Sequence, residues 1–428
     1  MEQLLHYVWK HRLYSPENLF TTDGNSITVI DPGLQNTNAG PDFFNAKIRI
    51  NQTLWAGNIE IHTKSSDWFK HRHHEDKAYD SVILHITNNN DRLIYRSNGE
   101  IIPQLILAIP ENLQKNMDWL LQQDKSIPCF PFLREIEKCQ TLSWLNSLIG
   151  ERLERKTQDI FRLLKQYNDD WNEVFFIILT RNFGFGVNSD AFEWLAKSLP
   201  FRCIRKQRNS LTQIESLLFG QAGMLEEKND DYYYRFLQQE YQFLQKKFKL
   251  TPLEKSLFKQ LRLRPGNFPH LKLAQLAAIW HQYDILFSKI LEAGTPRQIK
   301  TLFHVPPSDF WNTHYHFKHP SPAKEKLIGD NTLNILLINT VVPFLFAWGK
   351  HHDLQEYCER SIYLLETLPT ENNNITSLFS KAGITPQNAS DSQALIQLKR
   401  EYCEKKKCLY CRIGFQLMKR EPTESKIK

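Results

Sequence analysis

The texture of the chain changes once, near residue 110, and that change limits the fold more than any other feature. Before it, apolar residues recur at every second position: Phe44, Ala46, Ile48 and Ile50 alternate with Asn45, Lys47 and Arg49. That is the period of a half-buried strand. After it, segments of helical period follow one another at 142–164, 171–182, 191–199, 211–218, 232–248, 271–293, 333–348, 357–368 and 394–403. Pro200, Pro265, Pro269, Pro320, Pro369 and Gly383 separate them. Strands first and helices afterwards predict an α+β fold, with an N-terminal mixed β-sheet domain and a large, mostly helical region. The sequence divides accordingly into 1–110, 111–398 and a basic, cysteine-rich segment at 399–428.

Within the first part the pattern reads as a helix at 2–13, strands at 26–30, 44–50 and 54–62, a short helix at 67–71 capped by Ser65-Ser66-Asp67, and a strand at 82–86. Strand-like runs follow at 93–96 and 104–109. Asn51-Gln52 is a tight turn between two strands. Counting back from the turn to Asp42 and forward to Glu60 places these carboxylates alongside each other, with His62 near. Residues two apart share a strand face, so Glu60, His62 and Lys64 project together. Two adjacent carboxylates stay ionised together only with a cation. Oxygen ligands suit Mg²⁺ or Mn²⁺, and a water on such an ion is the usual nucleophile in phosphodiester hydrolysis. Asp42 and Glu60 are therefore the expected ligands, and His62 or Lys64 the expected proton-transfer group.

A histidine cluster follows at once: His71, His73 and His74, then Glu75, Asp76 and Asp80, with His85 on the next strand. His62, His85, one of the helix histidines (His71 or His74) and Asp76 are candidates for a zinc or manganese site. The bland alternative is a polar helix face and a satisfied core histidine.

At the other end, Cys403, Cys408 and Cys411 form a Cys-x4-Cys-x2-Cys run. Three thiols so close favour Zn²⁺ or an iron–sulfur cluster. Cys129 is the first choice for a fourth ligand, with Cys139, Cys358 or a histidine as alternatives, and the flanking lysines are expected to lower the thiol pKa. Seven cysteines without a secretion signal point to reduced thiols in a cytoplasmic protein. From residue 399 onward ten basic residues stand against four acidic ones, which accounts for six of the seven net positive charges. Lys405, Lys406, Lys407 and Arg412 are thus candidates for contact with DNA or RNA, unless the run is simply a solvated tail. No apolar run is long enough to span a membrane; 333–348, broken by Asn334, Asn339, Thr340 and Pro343, reads as a buried helix. Gly184-Phe185-Gly186 follows a helix pattern, so no nucleotide cofactor is expected. The turn Arg264-Pro-Gly-Asn-Phe-Pro269 is either structural or a seat for a phosphate.

The order helix–strand–strand–strand–helix–strand, with Pro41-Asp42 before the second strand and Glu60-x-His62 on the third, resembles the PD-(D/E)xK nuclease core, with His62 where that motif has lysine. The resemblance implies a metal-dependent nuclease. Some nucleases of that kind also carry an iron–sulfur cluster whose last three cysteines lie near the C-terminus, a similar placement at a different spacing. Over nearly its full length the chain also resembles a bacterial family of unknown function. Gly40-Pro-Asp-Phe43, Trp55-Ala-Gly-Asn-Ile-Glu-Ile-His62, Ser66-Asp-Trp68, Tyr79-Asp-Ser-Val-Ile-Leu-His85, Leu218-Phe-Gly-Gln-Ala-Gly223, Arg264–Pro269 and the terminal cysteine run carry that likeness. It implies one architecture and no activity. The expected function is a divalent-metal-dependent nuclease or phosphodiesterase. The alternatives are a non-catalytic nucleic-acid-binding or scaffold protein with a structural cysteine–metal site, and a metal-dependent hydrolase of a small substrate.

Overall fold

Leu4, Leu5, Val8 and Trp9 recur at helical spacing, and helix α1 (Glu2–Lys10) buries all four. It packs on the central strand of a six-stranded sheet. In this computed structural model, which describes residues 1–420 apart from 16, 18, 124 and 125, the sheet comprises β1 (Ile27–Asp31), β2 (Leu34–Gln35), β3 (Phe43–Ile50), β4 (Thr53–Lys64), β5 (Val82–Asn89) and β6 (Gln104–Ile106). Its order is β1-β3-β4-β5-β6, and β2 also pairs with β3. β1, β3 and β4 are antiparallel, whereas β4, β5 and β6 run parallel. A parallel pair needs a long crossover. Residues 65–81 supply one: a single turn of helix, α2 (Asp67–Lys70), then tight turns at His73–Glu75 and Lys77–Tyr79. The sheet is mixed, as the sequence predicts, and the chain is α+β.

Three local expectations differ. The polar stretch after Gly33 contains the short strand β2. The run 93–96 forms only a single bridge, Tyr95 to Ile101, and the last strand stops at Ile106. On β3 the inward position at the start belongs to Phe43, which is fully buried, and not to Phe44. A bulge at Asn45 shifts the alternation by one residue there.

Two compact units emerge: Met1–Thr141 together with the chain from Lys399 onward, and Leu142–Leu398. In the first, α3 (Glu111–Gln122) contacts the C-terminal helix Arg412–Met418. Asn116 Nδ2 donates to the carbonyls of Leu417 at 3.2 Å and Arg420 at 3.0 Å. The last eight residues of the basic segment lie outside the described residues.

The second unit is almost wholly helical, around a core that includes Phe175, Phe176, Phe183, Phe192, Phe219, Trp280, Phe303 and Phe344. Gly220 lets two helices meet, since a Cβ there would lie 2.0 Å from the Tyr241 ring. The helix spanning Asp330–His351 is the one described helix long and apolar enough to cross a bilayer, and 78% of its apolar window is buried inside the protein. Its middle widens into a π-turn at Leu337–Val341, just before Pro343. A proline has no N–H and its ring crowds the carbonyl four residues back, and a wider turn accommodates both.

Candidate metal centre

The Asn51-Gln52 turn closes the β3–β4 hairpin with Ile50 opposite Thr53, and that register holds to Ala46 opposite Gly57. Continued unbroken, it would set Asp42 opposite Ile61. Asn45 intervenes, with φ of 56°, a left-handed conformation that asparagine tolerates better than most residues. Its N–H bonds Asn58 Oδ1 at 3.2 Å. The bulge takes up one residue, so Phe43 pairs with Ile59 and Asp42 comes to Glu60. Each carboxylate then accepts from backbone beside the other. Asp42 N–H donates to Glu60 Oε2 at 3.1 Å, and Ile61 N–H donates to Asp42 Oδ2 at 2.9 Å.

Glu60 is 5% exposed. Burial, with the Asp42 carboxylate beside it, pushes its carboxyl up to about 9, against the opposing hydrogen bond from Asp42 N–H. A carboxylate in this position calls for a cation. Its Oε1 lies 3.5 Å from His62 Nε2 and 3.4 Å from His73 Nε2. His62 is itself wedged between rings: Nδ1 is 2.9 Å from His85 Nε2, and Nε2 is 3.1 Å from His71 Nδ1. Burial, reinforced by the neighbouring imidazoles, drives His62 down to about 2 and His85 down to about 3. Burial also lowers His73. These rings are therefore neutral, which is the ligating form. The donor atoms of His62, His71 and His73 all lie within 4.8 Å of one another. Tyr79 stacks on His73 at 3.8 Å between ring centres, and Trp68 meets His73 and His85 edge-on.

Crossover and strand thus supply one cluster. Asp42, Glu60 and His62 meet as the sequence predicts, and His71 joins them. His85 sits behind His62, with its Nδ1 buried and without a partner among the described residues. Other expected residues stand apart. Strand β4 does persist to Lys64, but that residue is exposed, and no described contact joins its ammonium to the cluster. Asp76 is occupied in turn chemistry, accepting from Ala78 N–H at 2.9 Å. His74 leans on Phe69 and pairs with Glu75 at 3.4 Å. Asp80 accepts two hydrogen bonds from Ser97.

Two participants carry no role in the sequence reading. His73, named there only as part of the run, is the ring that reaches Glu60. His6 Nε2, from α1, lies 3.3 Å from Asp42 Oδ2. Burial lowers the His6 pKa, but the Asp42 carboxylate outweighs it and the net shift is upward. The i, i+2 spacing of His71 and His73 could have flagged the first. Nothing local could have flagged His6, which arrives through helix packing.

The cysteines assemble as well. Cys129, Cys403, Cys408 and Cys411 line one small cavity with Leu120 and Gly414. All seven cysteines of the chain are free thiols. Cys139 is exposed beside Glu137, and Cys358 belongs to the helical unit. Among the alternatives for a fourth ligand, the residue gathered with the other three is Cys129. The lysines do not depress these thiols, contrary to expectation. Burial and the mutual repulsion of the sulfurs raise Cys129 and Cys403 well above the usual range and Cys408 to about 11. Lys406 opposes this at Cys408 and is outweighed.

The basic residues nearby are partly engaged. Lys405 pairs with Glu401 at 2.5 Å, Lys406 Nζ donates to Leu121 O at 2.6 Å, and Lys407 borders the cysteine cavity. Arg412 opens the C-terminal helix.

The molecule is thus an α+β protein whose mixed sheet carries a buried histidine–carboxylate cluster at the strand that joins its antiparallel and parallel halves. It belongs to the family described as a protein of unknown function (DUF2851), which matches residues 2–374. The match includes the whole histidine–carboxylate cluster and Cys129 and ends before Cys403. No curated protein and no solved structure matches the chain.

Proposed function

We propose that the N-terminal unit is a divalent-metal-dependent phosphodiesterase acting on nucleic acid, with the ion held at the histidine–carboxylate cluster. The observation that carries this reading is the convergence of Glu60 Oε1 on the Nε2 atoms of His62 and His73, at 3.5 and 3.4 Å, with His71 adjoining. One carboxylate and three imidazoles suit Mn²⁺ or Zn²⁺ better than Mg²⁺, which prefers oxygen. Such an ion, when bound, supplies a Lewis acid and a water of lowered pKa.

The chain's own groups do the positioning. The Asn45 bulge sets Asp42 against Glu60, Asp42 N–H orients the Glu60 carboxylate, and Tyr79 fixes the plane of His73. His71 is exposed, which leaves the cluster an approach from solvent. Asp42 contacts Ile61 N–H and His6 through Oδ2, which leaves Oδ1 available to a ligand among the described residues. The order of elements in the sheet and the basic run after Lys399 favour a phosphodiester over a small neutral substrate.

Incubation of the full chain with DNA, RNA and bis-p-nitrophenyl phosphate, each with Mg²⁺, Mn²⁺ or Zn²⁺, tests this against Glu60→Gln and His73→Ala. Cleavage by the wild type that falls by about a hundredfold or more in both variants supports it. No cleavage under any condition, or equal cleavage by all three proteins, removes its basis.

The gathered cysteines support a second, structural metal, Zn²⁺ or [4Fe–4S], in reduced, cytoplasmic surroundings. Elemental analysis and visible absorbance of anaerobically purified protein separate the two. If cleavage fails and this metal is found, the non-catalytic scaffold reading takes its place.

A further inference from the structure

The helical unit contains a cavity of about 340 Å³ that plays no part in either metal site. It is lined by the Arg264-Pro-Gly-Asn turn, by the first turns of the helix Pro269–Gln282 and by the segment around Lys324–Gly329. Four cationic side chains border it, Arg264, Lys272, Lys324 and Lys326, against the single carboxylate of Glu325.

Two of these cations are buried. Lys272 is 4% exposed and Lys326 5%. An ammonium removed from water without a counter-charge is costly unless something balances it. Lys326 satisfies its three N–H groups with the carbonyls of Trp311 at 2.6 Å and Asn312 at 2.9 Å and with Ser321 Oγ at 3.1 Å. Lys272 does not. Its Nζ donates to Gln275 Oε1 at 3.1 Å and otherwise faces the Phe185 ring at 4.9 Å. No carboxylate pairs with either lysine among the described residues. Arg264 and Lys324 are exposed and likewise have no ion pair there. A ring of like charge around a hollow, with donors to spare on its most buried member, is the arrangement an anion completes.

We infer that this cavity binds a phosphate oxyanion, with Lys272 contacting it from the wall and Arg264 closing on it from the rim. The volume is large enough for the rest of a nucleotide-sized ligand. The phosphate can belong to a small phosphorylated molecule or to a nucleic-acid strand, and the two sources are separable. Burial lowers Lys272 to about 8 in the absence of ligand, so an anion beside it would also restore full protonation.

The test is calorimetric titration of the full-length protein with inorganic phosphate, pyrophosphate, adenosine monophosphate and a short single-stranded DNA. Lys272→Met and Arg264→Gln are run in parallel. Saturable binding by the wild type is expected, weakened about tenfold or more in Lys272→Met and by a smaller factor in Arg264→Gln. Methionine keeps the length of the buried chain, and should that variant fail to fold, the exposed Arg264→Gln still decides. Tighter binding of a small probe assigns the site to a phosphorylated metabolite, and tighter binding of the oligonucleotide assigns it to a strand. Absence of saturable binding by the wild type, or affinities unchanged in both variants, overturns the inference.

Discussion

The N-terminal unit gathers its two sets of candidate metal ligands in opposite ways. The histidine–carboxylate cluster is drawn from one hairpin and the crossover after it, between Asp42 and His85, with His6 added from α1. The cysteine set joins Cys129 to residues 403–411 at the far end of the chain. The first is a local arrangement in which side chains are crowded onto a sheet that already exists. The second closes a very long loop, so whatever it binds is coupled to the docking of the C-terminal segment. On the function proposed above, one site serves chemistry on a stable frame and the other holds the frame. Removing a ligand should therefore harm activity in the first and folding in the second.

The largest effect expected is from Cys403→Ser. Structural metals contribute much of a small unit's stability, so loss of this ligand should empty the site and lower the melting temperature of the N-terminal unit by more than about 10 °C. Melting and metal content identical to wild type would reduce the four cysteines to ordinary thiols and end the comparison.

Glu60→Gln comes next, with the opposite signature. Cleavage should fall by about two orders of magnitude or more. The metal-free protein should melt at the same temperature or higher, because its surroundings already favour an uncharged carboxyl. A large fall in melting temperature would make Glu60 a structural residue.

Asn45→Val sharpens the local side of the contrast. A β-branched residue at φ of 56° costs about 1–2 kcal/mol. The strain is relieved if the bulge closes and Asp42 slips to Ile61. Activity should drop further than stability, whereas Asn45→Gly should retain both.

A control lies in the helical unit. Glu215 is 1% exposed, and burial pushes its carboxyl up to about 7, against hydrogen bonds from Tyr233 at 2.7 Å and Ser308 at 2.8 Å. A carboxyl raised on folding stabilises most when protonated. The contribution is fully present below the ordinary carboxylate range and is lost as pH rises through about 7. Denaturant titrations of the helical unit from pH 5 to 8, compared with Glu215→Gln, should show a decline in wild type, at most on the order of 3 kcal/mol, that the variant lacks. An equal slope in both proteins would assign the decline elsewhere.

The smallest effect is expected from Lys64→Gln, which should leave cleavage near the wild-type rate because the ammonium lies apart from the cluster. A loss comparable to that of Glu60→Gln would return Lys64 to the proton-transfer role its spacing suggests.

Much of the sheet was legible because alternation reports which face of a strand is covered, and α1 was legible from four apolar residues at helical spacing. The turn brings Asp42 toward Glu60, but the two pair only because the Asn45 bulge takes up the residue by which a strict two-residue hairpin would set Asp42 opposite Ile61. No periodicity reveals a bulge beforehand, since its signal is a single backbone angle. His73 and Asp76 show the same limit. Both lie in a short polar run, and whether each turns toward the strand or into its own loop depends on how the crossover packs.

The sequence by itself determined the α+β class, the division into strands and helices, and the residues able to ligate a metal. These follow from local spacing and side-chain chemistry. Only the tertiary structure decided which of those residues meet. It chose His62, His71 and His73 over Lys64 and Asp76, brought Cys129 to the terminal cysteines, and buried Lys272 beside a hollow lined with cations. Each outcome depends on contacts between residues far apart in the chain, where the energy lies in packing and desolvation that no local pattern records.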